Sequence, residues 1–231
     1  MAARLLRVED LRTQFFTSRG IVHAVDGISF DVGRGETVGI VGESGSGKTM
    51  TAFSILRLVP DPGRIVSGRI IFKDQDVVQM NDEDVREFRG NDVAMIFQDP
   101  MTSLNPVTRV GVQIDEAMSA HERFSKREAQ DRVVPLLQQV RIPEAAQRAK
   151  DYPHQFSGGM RQRAMIAMGL SNEPELLIAD EPTTALDVTV QAQIIQLLKQ
   201  LNREVGAAII LITHNMALVA SLCQRIIVMY A

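Results

Sequence analysis

The 231-residue sequence has one cysteine, Cys223, so neither an internal disulfide nor a cysteine-built metal site can form. A reducing compartment is the expected setting, and Cys223, following Leu222, is expected to be a small buried apolar residue. Positive charge is not in excess. The 25 Lys and Arg are outnumbered by 28 Asp and Glu, and the formal net charge of −3 gives no general electrostatic drive toward nucleic acid. Long apolar runs are missing as well: stretches such as Ala207–Ile212 have strand length, far short of the roughly 20 residues that cross a bilayer. The opening MAARLLRVED lacks the apolar segment of a secretion signal, so export is not expected. No internal repeat, low-complexity segment or long linker breaks the chain. What remains is an ordinary globular composition, 45% hydrophobic and 23% charged, fitting one domain or a domain with a subdomain.

The densest signal is Gly42-Glu43-Ser44-Gly45-Ser46-Gly47-Lys48-Thr49, which fits G-x-x-x-x-G-K-[ST] and follows the apolar run Val38-Gly39-Ile40-Val41. Glycines at these positions let successive backbone N–H groups turn toward a triphosphate. Lys48 is placed to reach its β and γ phosphates, and the Thr49 hydroxyl to ligate Mg²⁺. The segment Thr49–Leu58 reads as a helix whose positive N-terminal end faces the same phosphates. A glycine-rich turn without a ligand is the plainer alternative, and the strand before and helix after weigh against it.

Along the chain, short alternating runs between Leu5 and Val32, broken at Ser18-Arg19-Gly20 and Asp26-Gly27, predict an antiparallel sheet. Thr37–Val41 is a buried strand, and Gly63–Val78 holds two short strand candidates around Gly68. After Gln98 the spacing turns helical, over Val110–Ala120, Lys126–Val140 and Glu144–Ala149. The second of these is announced by the capping pair Ser125 and Glu128. Pro135 inside it predicts a kink or break, since an interior proline costs about 3 kcal/mol. Ser157–Leu170 reads as a helix capped by Ser157, and Glu175–Ala179 as a strand covered on both faces. Val188–Val205 is an amphipathic helix with Ile194, Leu198, Leu201 and Val205 on one face, ended by Gly206. Ala207–Ile212 and Arg225–Tyr230 are further buried strands flanking a helix over Asn215–Leu222. The fold class is therefore α/β: a phosphate-loop core with a mostly parallel sheet, an N-terminal antiparallel β subdomain and an inserted helical subdomain. The expected division is 1–99 with 171–231 for the core and 100–170 for the helical insertion.

A second motif completes the phosphate site. The apolar strand Leu176-Leu177-Ile178-Ala179 ends in Asp180-Glu181, delivering two carboxylates to the sheet edge where α/β ligands bind. Asp180 is expected to hold Mg²⁺ and Glu181 to polarise the water that attacks the γ phosphate. The rival reading, in which Asp180 caps the next element and Glu181 is a solvated charge, is weakened by the phosphate loop upstream.

With Phe156-Ser157-Gly158-Gly159-Met160 added, the chain resembles the ATP-binding subunits of ABC transporters, over its whole length. The resemblance implies that two such subunits pair head to tail. Ser157, Gly158, Gly159 and Met160, with Asp187 of Ala185-Leu186-Asp187, then act in trans on the nucleotide held by the partner. It implies that Gln98 senses Mg²⁺ and attacking water, that His214 contacts the γ phosphate and that Phe15 stacks on adenine, with Phe16 the alternative. Met50, following Thr49, belongs to the implied nucleotide site. Catalysis would thus rest on Glu181, His214, Gln98 and Lys48, and Mg²⁺ on Thr49, Gln98 and Asp180.

The stretches Tyr152–Arg163, Asp99–Pro106 and Asp180–Gln191 are similar to the dipeptide and oligopeptide importer branch. Met160, where most relatives carry glutamine, is typical of the first of two ATP-binding subunits there. The resemblance implies an ATPase at the cytoplasmic face of the inner membrane, coupled to two transmembrane permease subunits and a second ATP-binding subunit. A heterodimer is expected in the transporter, with a homodimer possible in isolation. An extracytoplasmic solute-binding protein takes part indirectly, and nucleic acid does not. Importers of nickel, opines or glutathione share these sequences. Relatives also continue past Val228-Met229-Tyr230, whereas this sequence stops at Ala231, so truncation is expected. Other classes fit less well. ABC ATPases of DNA repair or translation carry coiled coils or tandem cassettes, a regulatory module would not need Glu181 and His214, and a GTPase would carry an N-K-x-D motif.

Overall fold

In the computed structural model, which describes residues 4–121, 124–184 and 186–230, hydrophobic patterning sorts the strands into two sheets. Ala185 and Ala231 of the stretches above lie outside the described residues. β1 (Arg4–Thr17) and β2 (Gly20–Gly33) pair antiparallel, with Thr17 opposite Gly20 across a two-residue turn. β3 (Thr37–Gly42) runs into α1 (Lys48–Ile55). That helix ends three residues earlier than expected, because Arg57 takes a left-handed backbone, φ 51°, ahead of Pro60.

β4 (Gly63–Phe72) is one strand where two were expected on either side of Gly68. The residue sits at a shift in register against β1, and its φ of 96° bends the strand without ending it. After β5 (Gln75–Asp76) and the short α2 (Asp82–Glu87) comes β6 (Val93–Ile96), a strand that the sequence reading did not anticipate. The helical insertion follows as α3 (Pro100–Ser103), α4 (Val110–Ser119), α5 (Lys126–Gln139), α6 (Ala145–Arg148) and α7 (Gly158–Leu170). The chain then returns to the core through β7 (Leu176–Asp180), α8 (Val188–Val205), β8 (Ala208–Ile212), α9 (Met216–Leu222) and β9 (Arg225–Met229).

The first sheet has the order β2-β1-β4-β5 and is antiparallel, while the second has the order β6-β7-β8-β3-β9 and is parallel. One apolar cluster fills the space between the antiparallel sheet and one face of the parallel sheet, from Leu6 and Phe72 to Ile178 and Ile210. The other binds the opposite face, through Ile96, Leu177 and Leu211, to α4, α5, α7 and α8. β7 and β8 are buried at every position, and each fully buried Leu or Ile contributes roughly 1.5–3 kcal/mol, so these strands anchor the sheet.

Four local expectations are corrected. α5 runs unbroken through Pro135, whose exposed face lets water satisfy the carbonyl that loses its partner while Val133, Leu136 and Leu137 stay buried. Val205 is 40% exposed, because the apolar stripe of α8 leaves the core in its last turn. β9 lies at the sheet edge and alternates, with Ile226 and Val228 exposed, so it is only half-buried. Cys223 is partly buried, and burial pushes its thiol up to about 11.

Candidate active site

Four adjacent parallel strands, β6, β7, β8 and β3, converge on one edge, and each delivers a predicted residue just past its carboxyl end. β3 opens into the phosphate loop, β7 ends in Asp180 and continues to Glu181, β8 leads to His214, and β6 leads to Gln98. Parallel pairing of Asp180 with Ile212, and of Ile40 with Ile212, keeps these ends level.

In the phosphate loop, Glu43, Ser44 and Gly45 form the exposed crest, whereas Ser46 and Lys48 are buried. Gly47 caps α1 with a left-handed backbone, φ 88°, and a β-carbon there would stand 2.2 Å from the Ala24 carbonyl oxygen. Only glycine meets both demands. The Lys48 ammonium donates to the carbonyl oxygens of Gly42 and Glu43, at 2.9 and 2.7 Å, which holds it across the loop crest. Met50 follows Thr49 in the first turn of α1 and packs against the core beneath the antiparallel sheet.

Asp180 is 3% exposed, and one of its oxygens, Oδ1, is buried with no hydrogen-bond partner among the described residues. Burial pushes its carboxyl above the ordinary aspartate range. The Thr49 hydroxyl opposes the shift, the Glu181 charge adds to it and Lys48 opposes it again. A buried carboxylate oxygen lacking a donor, beside a hydroxyl, is a donor set that fits a hard divalent cation.

Glu181 is the hub. Its backbone is left-handed, φ 45°, a conformation costing a non-glycine residue roughly 1–2 kcal/mol, and its N–H donates to the Ile212 carbonyl at 2.8 Å. Oε1 lies 3.1 Å from Nδ1 of His214, while Oε2 accepts from Gln98 Nε2 at 3.1 Å and from the Thr184 hydroxyl at 2.8 Å. Burial alone would raise this carboxyl. The bonds to His214 and Thr184, with the charges of His214 and Lys48, outweigh burial and hold it below the ordinary glutamate range. Thr184 was not singled out by the sequence, although it belongs to the Asp180–Gln191 stretch.

Asp180 and Glu181 therefore respond to pH with opposite sign. The depressed Glu181 adds stability above its unfolded value, which is lost as pH falls through the folded one. The raised Asp180 favours the folded chain only below its unfolded value, and that benefit is lost as pH rises through the folded one, so at neutral pH its charge costs stability. Asp180→Asn should consequently raise the thermal midpoint of the nucleotide-free chain, by about 2–4 °C. Calorimetry showing a lowered midpoint would contradict this account.

A second group of predicted residues lies at two helix starts. Ser157 caps α7, its hydroxyl accepting from Met160 N–H at 3.3 Å, and Asp187 caps α8, accepting from Val190 N–H at 2.9 Å. The two starts are pressed together: a β-carbon at Gly159 would stand 2.8 Å from Cγ1 of Val190, and one at Gly158 would stand 3.4 Å from Leu186. Ser157 and Asp187 are thus held side by side, and both are exposed or partly exposed.

Phe15 lies in β1 opposite Gly63, close enough that a β-carbon at Gly63 would stand 2.7 Å from its ring. By strand alternation it shares a face with Thr13, whose hydroxyl is 2.7 Å from that of Ser54 in α1. Phe16 faces the other way, and the Arg64 guanidinium stacks 4.2 Å from its ring centroid. Phe97, next to Gln98, lines an apolar cavity of about 520 Å³ together with Leu58, Met95 and residues of α4 and α7, so the segment carrying Gln98 is a shared wall of core and insertion.

Residues 25–184 match the model of the ABC transporter family. The chain is 54% identical over 98% of its length to a probable peptide ABC transporter ATP-binding protein of Sinorhizobium fredii. It is 53% identical over its whole length to the oligopeptide transport ATP-binding protein OppD of Escherichia coli, and 51% identical over 99% to the dipeptide transport ATP-binding protein DppD of Bacillus subtilis. It spans 68% of the length of each of these three relatives. Among solved structures, the ATP-binding cassette MJ0796 in a dimeric post-hydrolysis state bound to ADP and Pi superposes with a TM-score of 0.85 at 27% identity, covering 97% of this chain and 94% of that one. The phosphate loop, the Asp180-Glu181 strand end and the paired helix starts thus belong to a chain that is a member of the ABC transporter family.

Proposed function

We propose that the chain is the ATP-hydrolysing motor subunit of an ABC importer for di- and oligopeptides, as the names and identities of its relatives support. The observation that carries the catalytic part is the Glu181 carboxylate, held at once by Gln98, Thr184 and His214 beside the phosphate loop. Lys48 and the loop N–H groups take the β and γ phosphates of ATP, and Phe15, on the α1 side of its strand, stacks on adenine in preference to Phe16. Mg²⁺ would be held by the Thr49 hydroxyl, the Asp180 carboxylate and the Gln98 amide oxygen, and it would neutralise phosphate charge. The Glu181 carboxylate takes the proton of the attacking water as the water oxygen bonds to the γ phosphorus, and ADP leaves with the bridging oxygen. His214, bonded to Glu181 Oε1, takes the γ-phosphate contact. Ser157 to Met160, with Asp187, closes over ATP bound to a second ATP-binding subunit, and the partner completes this chain's site in return.

Core (1–99 and 171–231) and helical insertion (100–170) divide the work, the first holding nucleotide and the second presenting Ser157. No helix among the described residues is long and apolar enough to cross a membrane. We place the subunit at the cytoplasmic face of the inner membrane, held there by two permease subunits. Affinity purification from detergent-solubilised membranes tests this reading. Membrane permeases should co-purify together with a second ATPase, and peptide with its binding protein should stimulate ATP hydrolysis in reconstituted vesicles. Recovery of ribosomes or nucleic acid in their place would overturn it.

A further inference from the structure

Among the described residues three groups hydrogen-bond the Glu181 side chain, and two of them, Gln98 and His214, already have assigned roles. The third does not. Thr184 Oγ donates to Glu181 Oε2 at 2.8 Å, the shortest of the three bonds, and the Thr184 N–H donates to the Glu181 carbonyl at 3.1 Å. One residue thus closes on Glu181 through main chain and side chain together, over a turn forced to begin in a left-handed conformation at Glu181. A hydroxyl that served the turn alone would be satisfied by a backbone group, as in an ordinary serine or threonine turn. Here it is spent on the carboxylate.

The donors are also distributed unequally. Oε2 receives both Thr184 and Gln98, whereas Oε1, among the described residues, meets Nδ1 of His214 alone, whose side chain is 68% exposed. We infer that Thr184 is a positioning residue for hydrolysis: with Gln98 it fixes Oε2, so that Oε1 is the oxygen presented to the attacking water. This rests on the reading of Glu181 as the group that polarises water.

The test compares Thr184→Val, which keeps the shape and removes the hydroxyl, with Thr184→Ser, which keeps the hydroxyl, in the transporter assembled with its membrane subunits. Thr184→Val should lower kcat about tenfold with KM for ATP changed less than about twofold. Thr184→Ser should return kcat to within about twofold of the parent. Unchanged kcat in Thr184→Val would overturn the inference, as would a fall in kcat matched by an equal rise in KM, or a Thr184→Ser variant as impaired as Thr184→Val. Glu181→Gln run alongside separates the two levels. If it abolishes turnover while Thr184→Val does nothing, Thr184 alone is misassigned; if Glu181→Gln turns over normally, the reading of Glu181 itself fails.

Discussion

Glu181→Gln should leave ATP bound and reduce turnover by roughly 10²–10⁴-fold, the span that a positioned general base contributes. The substitution is nearly isosteric, and the amide oxygen can still accept from Gln98 and Thr184, so the geometry around position 181 survives. Negative charge and basicity are lost. Binding should hold, or tighten, because in the proposed mechanism Lys48 and the loop backbone carry the phosphate contacts and a carboxylate facing the γ phosphate repels it. Equilibrium binding of labelled ATP and single-turnover hydrolysis in the assembled transporter give the two readouts. A hydrolysis rate within a few-fold of the parent would remove Glu181 from the mechanism. The parent's acid limb should fall below the ordinary glutamate range, since the bonds and charges around Glu181 hold its carboxyl down.

How much of this was legible in the sequence follows from how local each signal is. The phosphate loop and the Asp180-Glu181 strand end are each written in fewer than a dozen contiguous residues, and both lie where the pattern places them. Gln98 is different. It reaches Glu181 because β6 adds itself beside β7, and a short apolar run such as Val93 to Phe97 cannot be told from a buried helix segment by periodicity alone. The bond from Thr184 depends on the left-handed turn at Glu181, a non-glycine conformation that no residue type advertises. Pro135 misleads for the opposite reason: the rule against interior proline holds where the freed carbonyl is buried, and here that face is wet. β9 reads as buried because Ile226, Ile227 and Val228 are all apolar, yet a sheet edge covers only every second one.

Glycines 158 and 159 illustrate a signal with two meanings. They open a helix, which favours an anion there, and Gly159 also admits Val190 of α8 at a distance no side chain tolerates. The packing meaning ties Ser157 to Asp187 and makes one exposed edge of two helix starts.

That edge carries the second large effect. Ser157→Arg should leave ATP binding at this chain's own Lys48 intact while cutting turnover of the paired cassettes by about 100-fold, because an obstructed helix start cannot close over the nucleotide on the partner. Losing the cap costs about 1 kcal/mol, too little to unfold the chain, and a circular dichroism melt monitors it. The sharper form places Ser157→Arg on the Glu181→Gln background. Without turnover, ATP should accumulate the closed pair, read by light scattering as an ATP-dependent doubling of mass, and Ser157→Arg should abolish that doubling with ATP still bound to each monomer. If the doubling persists, Ser157 does not meet the partner's nucleotide and the trans arrangement fails. If binding is lost with it, the α7 start acts on this chain's own phosphate loop, which the bonds of Ser157 and Asp187, confined to their own helix starts, give no reason to expect.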